Sequence, residues 1–376
     1  MSCLGLVQMS RRWWGSRCAC VSLGYGVDAE LGLNGHHTRV LQKHIIRLGA
    51  DVAFSKAQEH LEALLRVKVS KESFRQECHR HGKQMAKWQP KDTLTPKVFS
   101  RAPGAVEFTT DAGKVNTLEE GWKDLKIGVF QKRPCADPAT PEEWDSREIP
   151  APTAQVAWAA IAPIKKFSKT WRGWGRRLGV KQTRDLHVLG DGAGWIWQSV
   201  EQVFTGCVQT LDVYHGCQHL AQAGDRLYGE CTKESATFLD RGRKLLLKSG
   251  WLGICHLVGA EYEKEDTTVR RKALENLMGY FAKHTHRLNY RDQLEKGGAI
   301  GGGRVGQDFA AETEKLRCKV AAQEYFRNGG LGFCPKHQTM GLLLGQSCLI
   351  TQESVAAPVE CFEYFDYCVC FDCVLK

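Results

Sequence analysis

Two hydrophobic periods alternate along this chain, and the first change falls near residue 105. From Leu31 to about Trp88 apolar residues return every three or four positions, which is the helical period. Val40, Ile45, Ile46 and Leu48 mark one amphipathic helix. SKAQEHLEALLRVKVSKESFRQECHRHGKQM reads as helix, short turn, helix, with Ser70 placed to cap the second. That second helix carries Arg75, His79, Arg80, Lys83 and Lys87. It fits a DNA recognition helix, and any solvated helical hairpin would look the same. QPKDTLTPKVFSRAPG, rich in Pro, Thr and Lys, reads as a linker.

The period then drops to two. AVEFTTDAGKVNT sets Val106, Phe108 and Thr110 on one face, and KDLKIGVFQKR does the same with Leu125, Ile127 and Val129. TAQVAWAAIA follows a Pro-rich loop, so the three segments predict an antiparallel meander. KKFSKTWRGWGRRLGV is a basic aromatic helix. LHVLG and the start of CVQTLDVYHGCQHLAQAGDRLYG are two further strands, each leading into a helix. Three consecutive strands followed by strand, helix, strand, helix predict a mixed α/β sheet with flanking helices. Residues 225–295 return to the helical period, with Leu274, Leu277, Met278, Phe281 and Leu288 as the apolar stripe. A Gly-rich break, EKGGAIGGGRVGQD, precedes one more helix, FAAETEKLRCKVAAQEYF, and beyond Asn328 the amphipathic order is lost.

Composition narrows the class only a little. The 376 residues are 43% hydrophobic and 25% charged, as in ordinary globular proteins. No apolar run is long enough for a membrane span, since Lys248 and His256 break the best one. Arg11 and Arg12 follow the short N-terminal apolar stretch, the reverse of signal-peptide order, so a cytoplasmic protein is expected. A net charge of +10 suits a polyanionic partner, though many basic soluble proteins have none. Several of the sixteen cysteines are scattered singly, like small buried residues, while Cys348, Cys361, Cys368, Cys370 and Cys373 crowd the C-terminus. That distribution does not suit a disulfide framework.

Two carboxylates share a setting. Asp111 is expected at or near the end of the first strand, and Asp191 ends the fourth. Carboxylates held rigidly at strand ends suit Mg2+ or Mn2+, which take oxygen ligands in tight geometry. Two such ions promote phosphodiester cleavage by serving the attacking and leaving oxygens. Gly190 and Gly192 beside Asp191 allow a sharp turn and a close phosphate. Asp191 also precedes a helix, where Asp is a common cap. The dinucleotide-loop alternative is weak, because Trp195 holds the position that needs the last glycine. Asp212 and His215 follow the fifth strand, suited to ordering the site or touching a phosphate, with His219 one turn on as an ordinary helix residue.

DAGKVNT with GWKDLKIGVFQKR, PATPEEWDSREIPAPTAQVAWAAI, LGDGAGWIW and LDVYHGCQHL together resemble the core of insertion-sequence transposases of the ISKra group, relatives of the Mutator-like DDE enzymes. The resemblance runs from about Gly26 to about Val305. It implies a ribonuclease-H-like catalytic domain in which three acids hold two Mg2+ or Mn2+ ions. Such domains cleave DNA with water and join strands with a 3′-hydroxyl. By position it makes Asp111 the first acid, Asp191 the second, and Asp212-Val-Tyr-His215 the family's Asp-x-x-His element. It implies as partners DNA carrying the element's terminal repeats, with Arg75, Arg80, Lys83 and Lys87 in the DNA-binding region, and further copies of the chain in a homo-oligomer.

The third acid departs from the pattern. The family reads Ile-Gly-Ser-Gly, two residues, then Glu; here Gly306 stands at the Glu position and Gly302 at the Ser. Asp308 lies two positions on, roughly 200° around a helix, so it is a weak substitute. The tail admits two readings. One is a zinc module of Cys334, His337, Cys370 and Cys373. The other, favoured by composition, is a shifted or decayed reading frame. The expected organisation is an irregular segment 1–25, a helical DNA-binding region 26–92, a linker 93–104, a catalytic core 105–224, a helical insertion 225–295, a third-acid remnant 296–327 and a divergent tail 328–376. The expected function is DDE transposition, with a catalytically dead DNA-binding remnant as the alternative.

Overall fold

The computed structural model describes residues 33–34, 37–117, 121–180, 183–264, 267–301 and 369–370. Three helices come first: α1 (Arg39–Asp51), α2 (Phe54–Leu65) and α3 (Lys71–Trp88). Thr38 caps α1 by accepting from the Leu41 amide; Ser70 caps α3 by accepting from the Ser73 amide, the cap the sequence predicts. Leu41, Ile45, Phe54, Leu61, Phe74 and Cys78 close these helices around a small core of their own. The buried face of α1 is therefore Leu41 and Ile45, spaced four apart, while Val40 stays 59% exposed.

The expected linker is not one. Leu94–Arg101 forms a helix, α4, within the stretch 93–104. Asp92 accepts from the Leu94 and Thr95 amides, and Pro96 lies in the first turn, where its missing N–H leaves no bond unmade. Burial of Phe99 anchors the helix.

A five-strand mixed sheet follows: β1 (Ala105–Thr117), β2 (Gly121–Arg133), β3 (Ala154–Ile161), β4 (Leu186–Gly190) and β5 (Val208–Leu211). Its order is β5-β4-β1-β2-β3. The first three strands pair antiparallel; β4 runs parallel to β1 and β5 parallel to β4. A two-residue strand, Val369–Cys370, pairs in parallel with the outer edge of β3. The helices that link or follow the later strands are α5 (Ile164–Arg177), α6 (Gly194–Val203) and α7 (Val213–Tyr228). Beyond them come α8 (Lys233–Tyr262), α9 (Thr268–Ala282) and α10 (Tyr290–Glu295). Among the described residues no helix is long and apolar enough to cross a membrane.

The alternation of β1 sorts its residues as expected. Phe108 meets Phe130 of β2, Trp171 of α5 and Phe204 after α6, with ring centroids 4.8, 4.9 and 5.2 Å apart. Each such aromatic contributes roughly 1.5–3 kcal/mol through the apolar surface it removes from water. The other face is covered too, and Glu107 is buried there. It accepts from Gln131 at 2.6 Å and Arg133 at 3.1 Å, both on the neighbouring strand. A buried carboxylate persists only when its charge is matched in this way. Residues of α8, α9 and α10, including Leu246, Leu257, Leu277, Phe281 and Tyr290, join the same core as the sheet.

Candidate active site

Asp111 lies in the middle of β1, not at its end, because β1 and β2 continue as a long hairpin to Thr117 and Gly121. What ends nearby is the parallel ladder with β4, whose last partners are Thr109 and Leu189. Asp111 and Asp191 each stand two residues beyond that pair, Asp111 within β1 and Asp191 just past the end of β4, and the two strands run about 5 Å apart where they pair. The ladder continues outward to β5. Gly190 pairs with Leu211, and the Asp212 amide donates to the Gly190 carbonyl at 2.8 Å. Asp191 and Asp212 thus each follow the last residue of β4 and β5, and Asp111 of the neighbouring β1 lies two residues past its last partner in the ladder.

Local hydrogen bonds set each carboxylate. Asp111 Oδ1 accepts from the Ala112 amide at 2.6 Å, Asp191 Oδ1 from Ala193 at 2.8 Å and Asp212 Oδ1 from Tyr214 at 2.8 Å. Asp212 is the N-cap of α7. Asp191 is not a cap, since α6 begins at Gly194 with Ala193 in the capping position. It instead closes a two-residue turn that the Trp197 indole N–H braces by donating to the Asp191 carbonyl at 2.7 Å. Arg287 lies over the Trp197 ring at 4.4 Å and donates to Glu201 at 2.6 Å and Gln209 at 2.8 Å.

The far wall comes from the helical insertion. Tyr280 of α9 stacks on His219 of α7 with centroids 3.5 Å apart. Burial raises the Tyr280 phenol above its ordinary value, and the charges of Asp191 and Asp212 push it the same way. Burial lowers His219, and neighbouring His215, half-buried on the same helix, adds to that. Burial also raises Tyr290, followed by Asp212 and Tyr280. The Tyr280 and Tyr290 hydroxyls are buried with no hydrogen-bond partner among the described residues. Sequence periodicity recovers the Met278 and Phe281 stripe of α9 but carries no sign that Tyr280 turns toward the acids.

The candidate donors are carboxylate oxygens, the ligand type that a hard cation takes. Asp191 forms no ion pair with a Lys or Arg among the described residues, so its half-buried charge is not matched by a fixed cation. Among the described residues no group of three or more His, Cys, Asp or Glu side chains is gathered closely enough to hold a metal. The chain returns to this row at its described end. The Val213 amide donates to the Ile300 carbonyl at 3.0 Å, and a Cβ on Gly301 would lie 3.3 Å from Asp212 Oδ1. Gly306 and Asp308 follow outside the described residues, as do Cys334, His337 and Cys373. Cys370 belongs to the two-residue strand at the edge of β3.

The cations of α3 divide into two sets. Arg75 bonds Glu72, whose carboxyl it holds down at about 2, and Arg80 bonds the buried Glu77. Lys83 and Lys87 are exposed and make no ion pair among the described residues. Comparison of the chain with protein-family models and with curated proteins finds no match in either.

Proposed function

We propose that this chain is a DDE-type DNA transposase lineage member, built on a ribonuclease-H-like domain, whose chemistry is metal-dependent cleavage and transfer of DNA strands. One observation carries the reading: Asp111 of β1, and Asp191 just past the end of the parallel neighbour β4, each follow the last paired residues, Thr109 and Leu189, by two positions. An antiparallel three-strand meander with two parallel strands added beside its first strand supports the domain type. Asp111 and Asp191 would hold Mg2+ or Mn2+. Such an ion, when bound, activates the attacking oxygen and stabilises the leaving one. The chain's own part is to fix both carboxylates on a rigid sheet, and to screen the Asp191 side from water with Trp197, Tyr280 and His219. The helices before the sheet, with Lys83 and Lys87, would engage the element's terminal repeats.

Purified full-length protein should nick terminal-repeat DNA with Mn2+, and Asp191→Ala should abolish the nicking. Gly306, at the position of the family's third acid, favours a second reading, a protein that binds DNA without cutting it. Salt-dependent binding with no cleavage in Mg2+ or Mn2+ would establish that reading and discard the enzyme.

A further inference from the structure

The longest uncompensated run of positive charge in the described structure is on α5. IKKFSKTWRGWGRR contains six cations and no acid. Lys165, Lys169, Arg172 and Arg176 recur at i, i+4, i+7 and i+11, so they form one stripe along the helix. All four are exposed, as is Lys166. None of these five makes an ion pair among the described residues; Arg172 donates only to the Gln202 carbonyl, at 3.2 Å. The contrast with Arg75 and Arg80, each bonded to a glutamate on its own helix, is direct.

The opposite face of α5 is committed elsewhere. Phe167 and Trp171 are buried in the sheet core, and Trp174 stacks on Trp158. Apart from Ile164 at its first position, α5 leaves little apolar surface for a lipid bilayer, so the exposed face offers mainly charge. Its length suits a regular polyanion. Eleven residues of helix span about 16 Å, along which duplex DNA presents on the order of nine negative charges.

Position joins the stripe to the acid row. Asp111 pairs with Ile127, and Ile127 with Ala159. β3 runs parallel to β1 and ends two residues later, at Ile161, and α5 begins at Ile164. Lys165 and Lys166 therefore lie at the same end of the sheet as the carboxylates. At the other end of α5, Arg177 donates to the carbonyls of Gln89 and Asp92, which brings exposed Lys91 beside the stripe.

We infer that the exposed face of α5 is a docking surface for the phosphate backbone of duplex DNA, leading it across the sheet to the acid row. The inference deepens the transposase reading and rests on it for the choice of DNA. Binding is measured in EDTA, without metal, using the full chain and a fluorescein-labelled duplex of arbitrary sequence. The stripe variant replaces Lys165, Lys169, Arg172 and Arg176 with Gln. The control variant removes equal charge from the insertion, at Lys233, Lys244, Lys248 and Lys272.

The stripe variant is expected to bind about tenfold or more weaker near physiological salt, with the log–log salt slope reduced by roughly three to four. The control should stay close to wild type. Equal losses in both variants, no loss in the stripe variant, or tighter wild-type binding to duplex RNA or to phosphatidylserine vesicles would overturn the inference. Circular dichroism of both variants checks that they are folded. Asp191→Asn should bind as wild type does, so the two ideas fail separately: absent nicking with stripe-dependent binding removes the catalysis, and nicking with unimpaired stripe-variant binding removes the surface.

Discussion

Tyr280 lies directly against Gly192: a Cβ added to that glycine would stand 2.5 Å from the Tyr280 hydroxyl oxygen. The contact joins the insertion helix α9 to the turn that carries Asp191, so the turn is held from both sides. Gly192→Ala should therefore destabilise the protein by about 1–3 kcal/mol, because a buried phenol stacked on His219 has little room to retreat. Gly194→Ala is the control, since nothing lies within 4 Å of the added carbon; it should be neutral or stabilising by up to about 1 kcal/mol. Urea unfolding midpoints of the two variants check the difference, and a Gly192→Ala variant as stable as wild type would break the proposed bracing.

Asp191→Asn should separate chemistry from folding. An amide oxygen can still accept from the Ala193 amide, so stability should change by no more than about 0.5 kcal/mol. Metal-dependent nicking should vanish, because a neutral amide is a poor ligand for a hard cation. Thermal unfolding and a nicking assay on one preparation read both effects.

Gly250 breaks α8, with φ +53° and ψ −125° inside an otherwise helical run. A Cβ there would also come 2.6 Å from the Leu288 carbonyl oxygen. Gly250→Ala should cost about 2 kcal/mol or more, combining left-handed strain with a clash against backbone that cannot move alone. Chemical denaturation tests this, and a change below about 0.5 kcal/mol would contradict the kink.

Glu261 is buried at the junction of α8 and α9, where it is bonded by Tyr228, Lys264 and Arg270 and reached by Arg241 at 3.6 Å. Glu261→Ala should destabilise by about 1–3 kcal/mol, the cost of leaving the buried partners unsatisfied. The full cost of breaking a buried ion pair is not expected, since Lys264 and Arg241 can turn to water. Urea unfolding gives the value.

His187 and His284 make stability pH-dependent on the acid side. Burial holds each imidazole down to about 4, and Arg287 adds to the effect at His284. Both are neutral in the fold where an unfolded chain, titrating near 6.5, takes up protons. The unfolded state then binds more protons, so stability falls as pH drops from about 6.5 toward 4 and changes little from this source below that. His187 Nε2 donates to Thr210 Oγ1 at 2.8 Å, because that hydroxyl gives its own proton to Asn289. Two imidazoles still unprotonated by NMR at pH 5, with a lower urea midpoint than at pH 7, are the expected result.

Much of the sheet was legible because alternation is a local property. Val106, Phe108 and Thr110 announce β1, and LHVLG, ending at Gly190, announces β4, with no knowledge of what each strand meets. The cap at Ser70 was legible for the same reason. α4 was not, because Pro, Thr and Lys together resemble a linker until burial of Phe99 is known. Asp111 was recognised as a candidate but expected at or near a strand end, since no local signal tells that β1 and β2 extend past the parallel ladder. Val40 belongs to the apolar period of α1, yet the helix turns Leu41 and Ile45 inward, because the face buried is chosen by α2 and α3.

From the order of residues alone came the strands of the sheet, most of the helices, the Ser70 cap and the two candidate acids, all of which are read from neighbours a few positions away. Only the tertiary structure decided that β4 pairs with β1, which aligns Asp111 with Asp191, and that Tyr280 reaches that row from a helix some 90 residues further along the chain. It likewise decided that Lys165, Lys166, Lys169, Arg172 and Arg176 make no ion pair among the described residues while Arg75 and Arg80 each meet a glutamate. Pairing across strands and the company a charge keeps depend on which distant surfaces pack together, and periodicity in the chain does not encode that choice.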